Sequence, residues 1–257
     1  MNLPELDIKD YNYYLPEENI AQFPPEKRGG SKILLAHQKP FSIAGFDELK
    51  HFIPDNALLI FNETKVIPAR LVFSKSTGAR IEIFLLHPEA NVDYQLALAS
   101  RQACSWNVLV GNAAKWKSGE LSIEFQKSDE TTITLTAERI AADTVVFRWN
   151  SDVLFSEVLA LLARVPLPPY IHRDTVDEDR DRYQTVFARN EGSVAAPTAG
   201  LHFTETQLLE LSLSGITQVA LTLHVGLGTF RPVKGNIADH EMHTEPFFVS
   251  AQQLKTL

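Results

Sequence analysis

The feature that most constrains this chain is a series of short apolar–polar alternations between residues 67 and 150. Ile81, Ile83 and Leu85 alternate with Glu82 and Phe84, and Leu121, Ile123 and Phe125 alternate with Ser122 and Glu124. Thr131 to Leu135 and Val145 to Phe147 follow, split by polar turns such as Lys127-Ser128-Asp129-Glu130. Successive side chains of a strand point to opposite faces, so a period of two predicts half-buried strands. Several such strands at this spacing predict a small barrel or meander. The pattern changes on both sides. Before it, Pro16, Pro24 and Pro25 punctuate mixed loop and α/β signals, and Ala57 to Phe61 reads as a short buried strand. After it, Ser151 or Asp152 is placed to cap a helix carrying Val153, Leu154, Val158, Leu161 and Leu162. That helix must end at Val165-Pro166-Leu167-Pro168-Pro169-Tyr170, which runs extended. The expected fold is therefore α/β (multi-domain α+β). A mixed α/β main domain, residues 1–66 and 151–257, is interrupted by a small β-barrel-like domain at residues 67–150.

The later third contains the best-specified local element. Thr204 and Gln207 have capping-box spacing, Phe203 can staple onto Leu208, and Gly215 suits the position after the helix. A strand follows over 216–225, with Val219, Leu221, Leu223 and Val225 on one face and Gln218, Thr222 and His224 on the other. The acidic stretch Asp174 to Asp181 reads as a solvated helix entrance or loop, and Ser250 to Leu257 as a helix.

Bulk properties narrow the function classes. The chain has 257 residues, 44% of them apolar, with no apolar run long enough to cross a bilayer. Its start lacks the basic-then-apolar layout of a secretion signal. The lone Cys104 forms no internal disulfide, has no base beside it and reads as a buried thiol, which fits a reducing cytoplasm. A net charge of −8 argues against indiscriminate nucleic-acid binding, so any RNA contact must use a local patch on an acidic body. A monomer away from membranes is expected.

Four segments carry candidate chemistry. Residues 192–204, Gly-Ser-Val-Ala-Ala-Pro-Thr-Ala-Gly-Leu-His-Phe-Thr, are small, nearly uncharged and lead into the predicted helix. Small side chains admit a ligand to the backbone, and free amides at a helix start favour anionic groups. Ser193, Pro197, Thr198 and His202 are the candidates there, with a tight structural crossover as the alternative. The strand end Thr222-Leu223-His224-Val225-Gly226-Leu227-Gly228-Thr229-Phe230 places His224, Gly226, Gly228 and Thr229 at a rim where α/β sheets commonly bind ligands. It lacks the third glycine of a dinucleotide fingerprint. His240-Glu241-Met242-His243-Thr244-Glu245 offers His240, His243 and Glu245 for acid–base work. A zinc-dependent hydrolase built on those three is the rival, although the spacing differs from His-Glu-x-x-His, and no metal is expected. Arg70, closing the cluster that starts at Phe61, can fork onto a carboxylate or phosphate, or form a hinge ion pair.

Together with Asp10 to Glu18, Ile20-Ala21-Gln22, Pro166 to Ile171 and Tyr183 to Ala188, these segments give the chain a resemblance along nearly its whole length. It resembles the S-adenosylmethionine:tRNA ribosyltransferase-isomerases of queuosine biosynthesis. Glu63 and Lys65 stand where the family pattern has Asp and Arg, both charge-preserving changes. Family members usually continue further, with a second set of motifs, so a truncated product or a short homologue is expected here. A non-catalytic RNA-binding piece is the corresponding alternative. The resemblance implies an α/β domain interrupted by a smaller barrel-like one. It also implies transfer and isomerisation of the ribosyl part of S-adenosylmethionine onto 7-aminomethyl-7-deazaguanine at the wobble position of tRNA, with adenine and methionine released.

Such a reaction sets its own demands. The sulfonium acidifies the protons on the adjacent 5′ carbon, and a base removing one forms an ylide whose electrons expel adenine and open the ribose. The tRNA amine then adds, and epoxide closure releases methionine. A positioned base, a proton donor for adenine and exclusion of water are required. His202, His224, His240 and His243 are the candidates because histidine titrates near neutrality. Glu245 serves as a base or orients a histidine, Ser193 and Thr198 bind substrate, and Arg70 holds a carboxylate or phosphate.

Overall fold

The structure, a computed structural model, describes residues 7–36, 39–126, 131–230, 233, 235–240 and 242–257. In chain order the strands are β1 (Lys32–Leu35), β2 (Ser42–Gly45), β3 (Leu58–Asn62), β4 (Thr64–Val66), β5 (Arg70–Ser74), β6 (Arg80–Pro88), β7 (Ala103–Gly111), β8 (Glu120–Gln126), β9 (Thr132–Arg139), β10 (Thr144–Trp149), β11 (Asn190–Ser193), β12 (Thr217–Leu223) and β13 (Phe247–Phe248). The helices are α1 (Tyr94–Leu98), α2 (Phe155–Leu162), α3 (Asp179–Arg182), α4 (Glu205–Leu213) and α5 (Ala251–Thr256).

The alternating segments become one antiparallel sheet in the order β5-β6-β7-β10-β9-β8. Its edge strands β5 and β8 lie against each other, so the sheet is nearly closed into a barrel. One side chain in two points inward, and Leu71, Phe73, Ile81, Ile83, Leu85, Trp106, Ile133, Leu135, Val145 and Phe147 are buried there. Helix α2 plugs this core with Phe155, whose ring stacks on Trp149 at 5.3 Å and lies 5.6 Å from Phe147 and 5.9 Å from Trp106. Closing the sheet removes its exposed edges and buries both the aromatic and the branched side chains.

Segments on either side of the barrel pair with each other. β11 runs parallel to β4, and β12 runs parallel to β3 with β13 antiparallel on its far edge. Strands separated by more than a hundred residues of chain thus share sheets. The fold is mixed α/β around a barrel-like sheet. Among the described residues no helix is long and apolar enough to cross a membrane.

Local expectations fare unevenly. α4 begins where the capping box places it, with Gln207 N–H on Thr204 Oγ1 at 3.2 Å, and ends before Gly215 at φ +84°. Ser250 caps α5 in the same way. α2, by contrast, is not capped by Ser151 or Asp152. Residues 151–154 are drawn out by tertiary contacts: Leu154 bridges to Arg101, Asp152 pairs with Arg101, and Trp149 Nε1 donates to Val153 O. The helix starts at Phe155, and the Leu154 N–H donates to the Glu157 carboxylate at 2.8 Å. The acidic stretch is not wholly solvated either. Asp179 is buried and takes a bidentate pair from Arg173 at 2.7 Å through each oxygen. Strand β7 also shows a period of two, with Cys104, Trp106, Val108 and Val110 on its inner face. The expected turn at residues 127–130 lies outside the described residues.

Candidate active site

Three short stretches meet on one floor. The residues at the start of β4, in β11 and at the end of β12 bring Glu63 and Thr64, Asn190 and Gly192, and Thr222 and His224 side by side. His224 is at the centre. Its Nδ1 lies 2.8 Å from Thr64 Oγ1, its backbone N–H donates to Pro246 O, and the residue is only 6% exposed. Its ring is flanked by Tyr94 at 5.5 Å, from the corner after β6, and by Phe248 of β13 at 5.7 Å. Gly192, with φ +149°, lies against the ring, and a Cβ there would fall 2.7–2.9 Å from three ring atoms. Burial, partly offset by the Asp93 carboxylate, holds His224 below the ordinary imidazole range. The ring is neutral at neutral pH and therefore able to accept a proton.

Two cavities meet over this ring and share Asp93, Tyr94, His224 and Phe248. The smaller, about 440 Å³, is floored by Asn190 and Thr222 with Arg189 and Glu191 at its side. The larger, about 1010 Å³, extends past Gly226 and Gly228 to His87, Met242, His243 and Glu245. His243 Nε2 lies 3.3 Å from Glu245 Oε1, and that same oxygen accepts the Gly226 N–H at 2.9 Å. Gly228 is required where it stands, because a Cβ would sit 2.3 Å from the His243 ring. The cleft thus offers three imidazoles: His224, buried and clamped; His243, half-exposed beside a carboxylate; and His87, exposed on the wall of the larger cavity.

The structure brings together His224, His243, Glu245, Gly226 and Gly228. Other expected site residues lie elsewhere. His202 packs on Phe46 at 5.3 Å, and burial together with the Arg28 charge lowers its pKa. His240, Pro197, Thr198 and Thr229 are not among the cleft-lining residues. Arg70 forks onto Glu82 at 2.9 and 3.2 Å, so the carboxylate it clamps is the chain's own. Ser193 is wholly buried and knits two strands, donating to Ala195 O and accepting the Val225 N–H at 2.7 Å. Among the described residues no three His, Cys, Asp or Glu side chains converge in a metal-binding group, and His240 stands apart from the His243–Glu245 pair. Glu241 lies outside the described residues.

Comparison with known proteins agrees with this arrangement's family. The sequence profile described as "Queuosine biosynthesis protein" matches residues 8–257. The chain belongs to this family. It is 41% identical over 245 residues to the S-adenosylmethionine:tRNA ribosyltransferase-isomerase of Treponema denticola, covering 94% of this chain and 67% of that protein. A solved structure of S-adenosylmethionine tRNA ribosyltransferase from Thermotoga maritima is similar at 25% identity and a TM-score of 0.30, covering 84% of this chain and 58% of that one. The chain thus spans about two thirds or less of these relatives' length. Thr64, between Glu63 and Lys65, is turned inward by the pairing of β4 with β11 and carried no distinguishing local signal. Tyr94 and Phe248 carried no distinguishing local signal.

Proposed function

We propose that this chain transfers and isomerises the ribosyl part of S-adenosylmethionine onto 7-aminomethyl-7-deazaguanine at the wobble position of tRNA, giving epoxyqueuosine-tRNA, adenine and methionine. Family membership and the likeness to the Treponema enzyme support the reaction. The observation that carries the chemistry is His224, neutral, dry and clamped at the junction of two cavities. With Nδ1–H donating to Thr64 Oγ1, the Nε2 lone pair is the base that takes a 5′ proton from the donor. The electron pair left on C5′ breaks the bond from C4′ to the ring oxygen, whose electrons then expel adenine from C1′ and leave an aldehyde there. Adenine takes the proton that His224 holds. The tRNA amine adds at C4′, and the electron pair returned to C5′ bonds to C1′. The alkoxide so formed closes the epoxide on C5′ and breaks the carbon–sulfur bond to methionine. The amine must shed a proton to attack. His243 takes that proton, and Glu245 balances the charge His243 gains. Burial excludes water that would hydrolyse the opened sugar. A single cysteine, its thiol pushed up to about 12 by burial, supports a cytoplasmic setting, and we read the chain as a monomer.

The test is to incubate the protein with S-adenosylmethionine and precursor-bearing tRNA, then separate small molecules from RNA. Free adenine and a matching mass gain on the RNA are expected together. S-adenosylhomocysteine with methylated RNA, or neither product, contradicts the proposal.

A further inference from the structure

The smaller cavity is surrounded by carboxylates that are already engaged. Asp93 accepts the N–H groups of Gln95 and Leu96 at 2.8 and 3.3 Å, capping α1. Glu191 pairs with Lys65 at 2.8 Å. Glu63 accepts from Thr222 Oγ1 and Asn190 Nδ2, each at 3.4 Å. Each of these carboxylates is thus already held by partners within the chain. What stays open is aromatic surface, with Phe248 54% exposed beside the Tyr94 ring, and the amide of Asn190. The orientation of that amide follows from its neighbours. Its nitrogen faces Thr222 Oγ1 at 2.8 Å and the Glu63 carboxylate, and a carboxylate only accepts. Turning the amide over would set oxygen against oxygen. Asn190 Oδ1 is thus a fixed acceptor on the exposed side. An aromatic wall with one fixed acceptor suits a flat, neutral heterocycle bearing an N–H donor.

We propose that this cavity is the subsite for the adenine ring of the donor, stacked on Phe248 with its exocyclic amino group donating to Asn190 Oδ1. The proposal rests on the ribosyl-transfer reading and deepens it. The sugar then lies at the junction over His224, and the larger cavity is left to the tRNA nucleotide. Hypoxanthine, with an oxygen in place of the amino group, sets that oxygen toward Asn190 Oδ1 and brings its neighbouring N1–H to the acceptor only by shifting on the Phe248 ring, so it binds more weakly.

Equilibrium dialysis with free adenine and free hypoxanthine tests this. Phe248 is exposed, so Phe248→Ala is expected to keep the wild-type melting temperature. Asn190→Ala takes a hydrogen bond from buried Thr222 and Glu63 and is expected to melt lower, so binding is measured well below its transition. Wild type is expected to prefer adenine. Phe248→Ala weakens adenine binding roughly tenfold, the scale of losing one base–aromatic stack. Asn190→Ala weakens adenine by about tenfold and leaves hypoxanthine nearly unchanged, so the preference disappears. Equal binding of the two bases by wild type, or adenine binding unaltered in both variants, overturns the subsite. If turnover still releases adenine in that case, the subsite alone fails. If turnover releases none, the reaction reading fails with it.

Discussion

A Cβ on Gly192 would strike the His224 ring, and any retreat into the cleft breaks the Thr64 contact and the packing on Tyr94 and Phe248. Gly192→Ala is therefore expected to cost about 1–3 kcal/mol from overpacking and a strained φ. The displaced base should also lower turnover at least tenfold, on the order of a misplaced catalytic group. Thermal melts and steady-state rates check both, and wild-type turnover would argue against a clamped base. Thr64→Val keeps the shape but strands Nδ1, costing about 1–3 kcal/mol, while Thr64→Ser restores the bond. The pH dependence follows from the direction of the His224 shift. Burial lowers its folded pKa, so below the unfolded value of about 6.5 the unfolded chain binds the extra proton first. Stability contributed by neutral His224 is thus present above that value and is lost as pH falls through the window beneath it. The acid limb of the rate profile should lie below about 6.5 for the same reason. His224 and its two glycines were legible in the sequence because a strand ending in Gly-x-Gly marks a rim. Arg70 stayed open between a ligand clamp and an ion pair, and Ser193 between ligand contact and structural crossover, because residue type does not reveal whether a polar group is satisfied internally.

Among the elements, α2 packs on the barrel with Phe155, Val158 and Leu159 buried, and Phe155 meets the barrel's aromatic rings. Phe155→Ala removes a side chain in contact with Trp106, Phe147 and Trp149, and a loss of about 3–5 kcal/mol is expected by denaturant titration. A loss below 1 kcal/mol would mean the helix does not seal the core. The turn entering α3 depends on charge instead. Burial would raise the pKa of Asp179, but the Arg173 hydrogen bond and charge and the Val176 N–H outweigh it and hold the carboxyl below 3.8. Its stabilisation is present above that value and is lost as pH falls through the depressed one. Asp179→Asn strands the Arg173 guanidinium, which also lies 4.1 Å over Phe23, and should cost about 3–5 kcal/mol at pH 7 and much less in acid. Caps were readable at this scale: Thr204 and Ser250 act through their own neighbours in sequence. The start of α2 was not, because Arg101 and Ser100 of a distant loop decide it.

At the scale of the molecule, the barrel sheet interrupts strands that must find each other across it. β3 and β4 precede the barrel and pair in parallel with β12 and β11, which follow it. That pairing sets Thr64 against His224, and the corner after β6 supplies Tyr94 as the opposite wall. The barrel was legible from its period of two. The cleft was only half legible, since its walls come from segments joined by tertiary pairing rather than by spacing. His224 and His243 share it with His87 while His202 packs elsewhere, so only part of the expected histidine set is placed for the proposed reaction. The most direct test of the central claim is the rate of adenine release from S-adenosylmethionine, in the presence of precursor tRNA, by wild type and His224→Ala. A fall of about 100-fold or more with an unchanged melting profile is expected, the scale of losing one acid–base group. Adenine release near the wild-type rate would contradict the account.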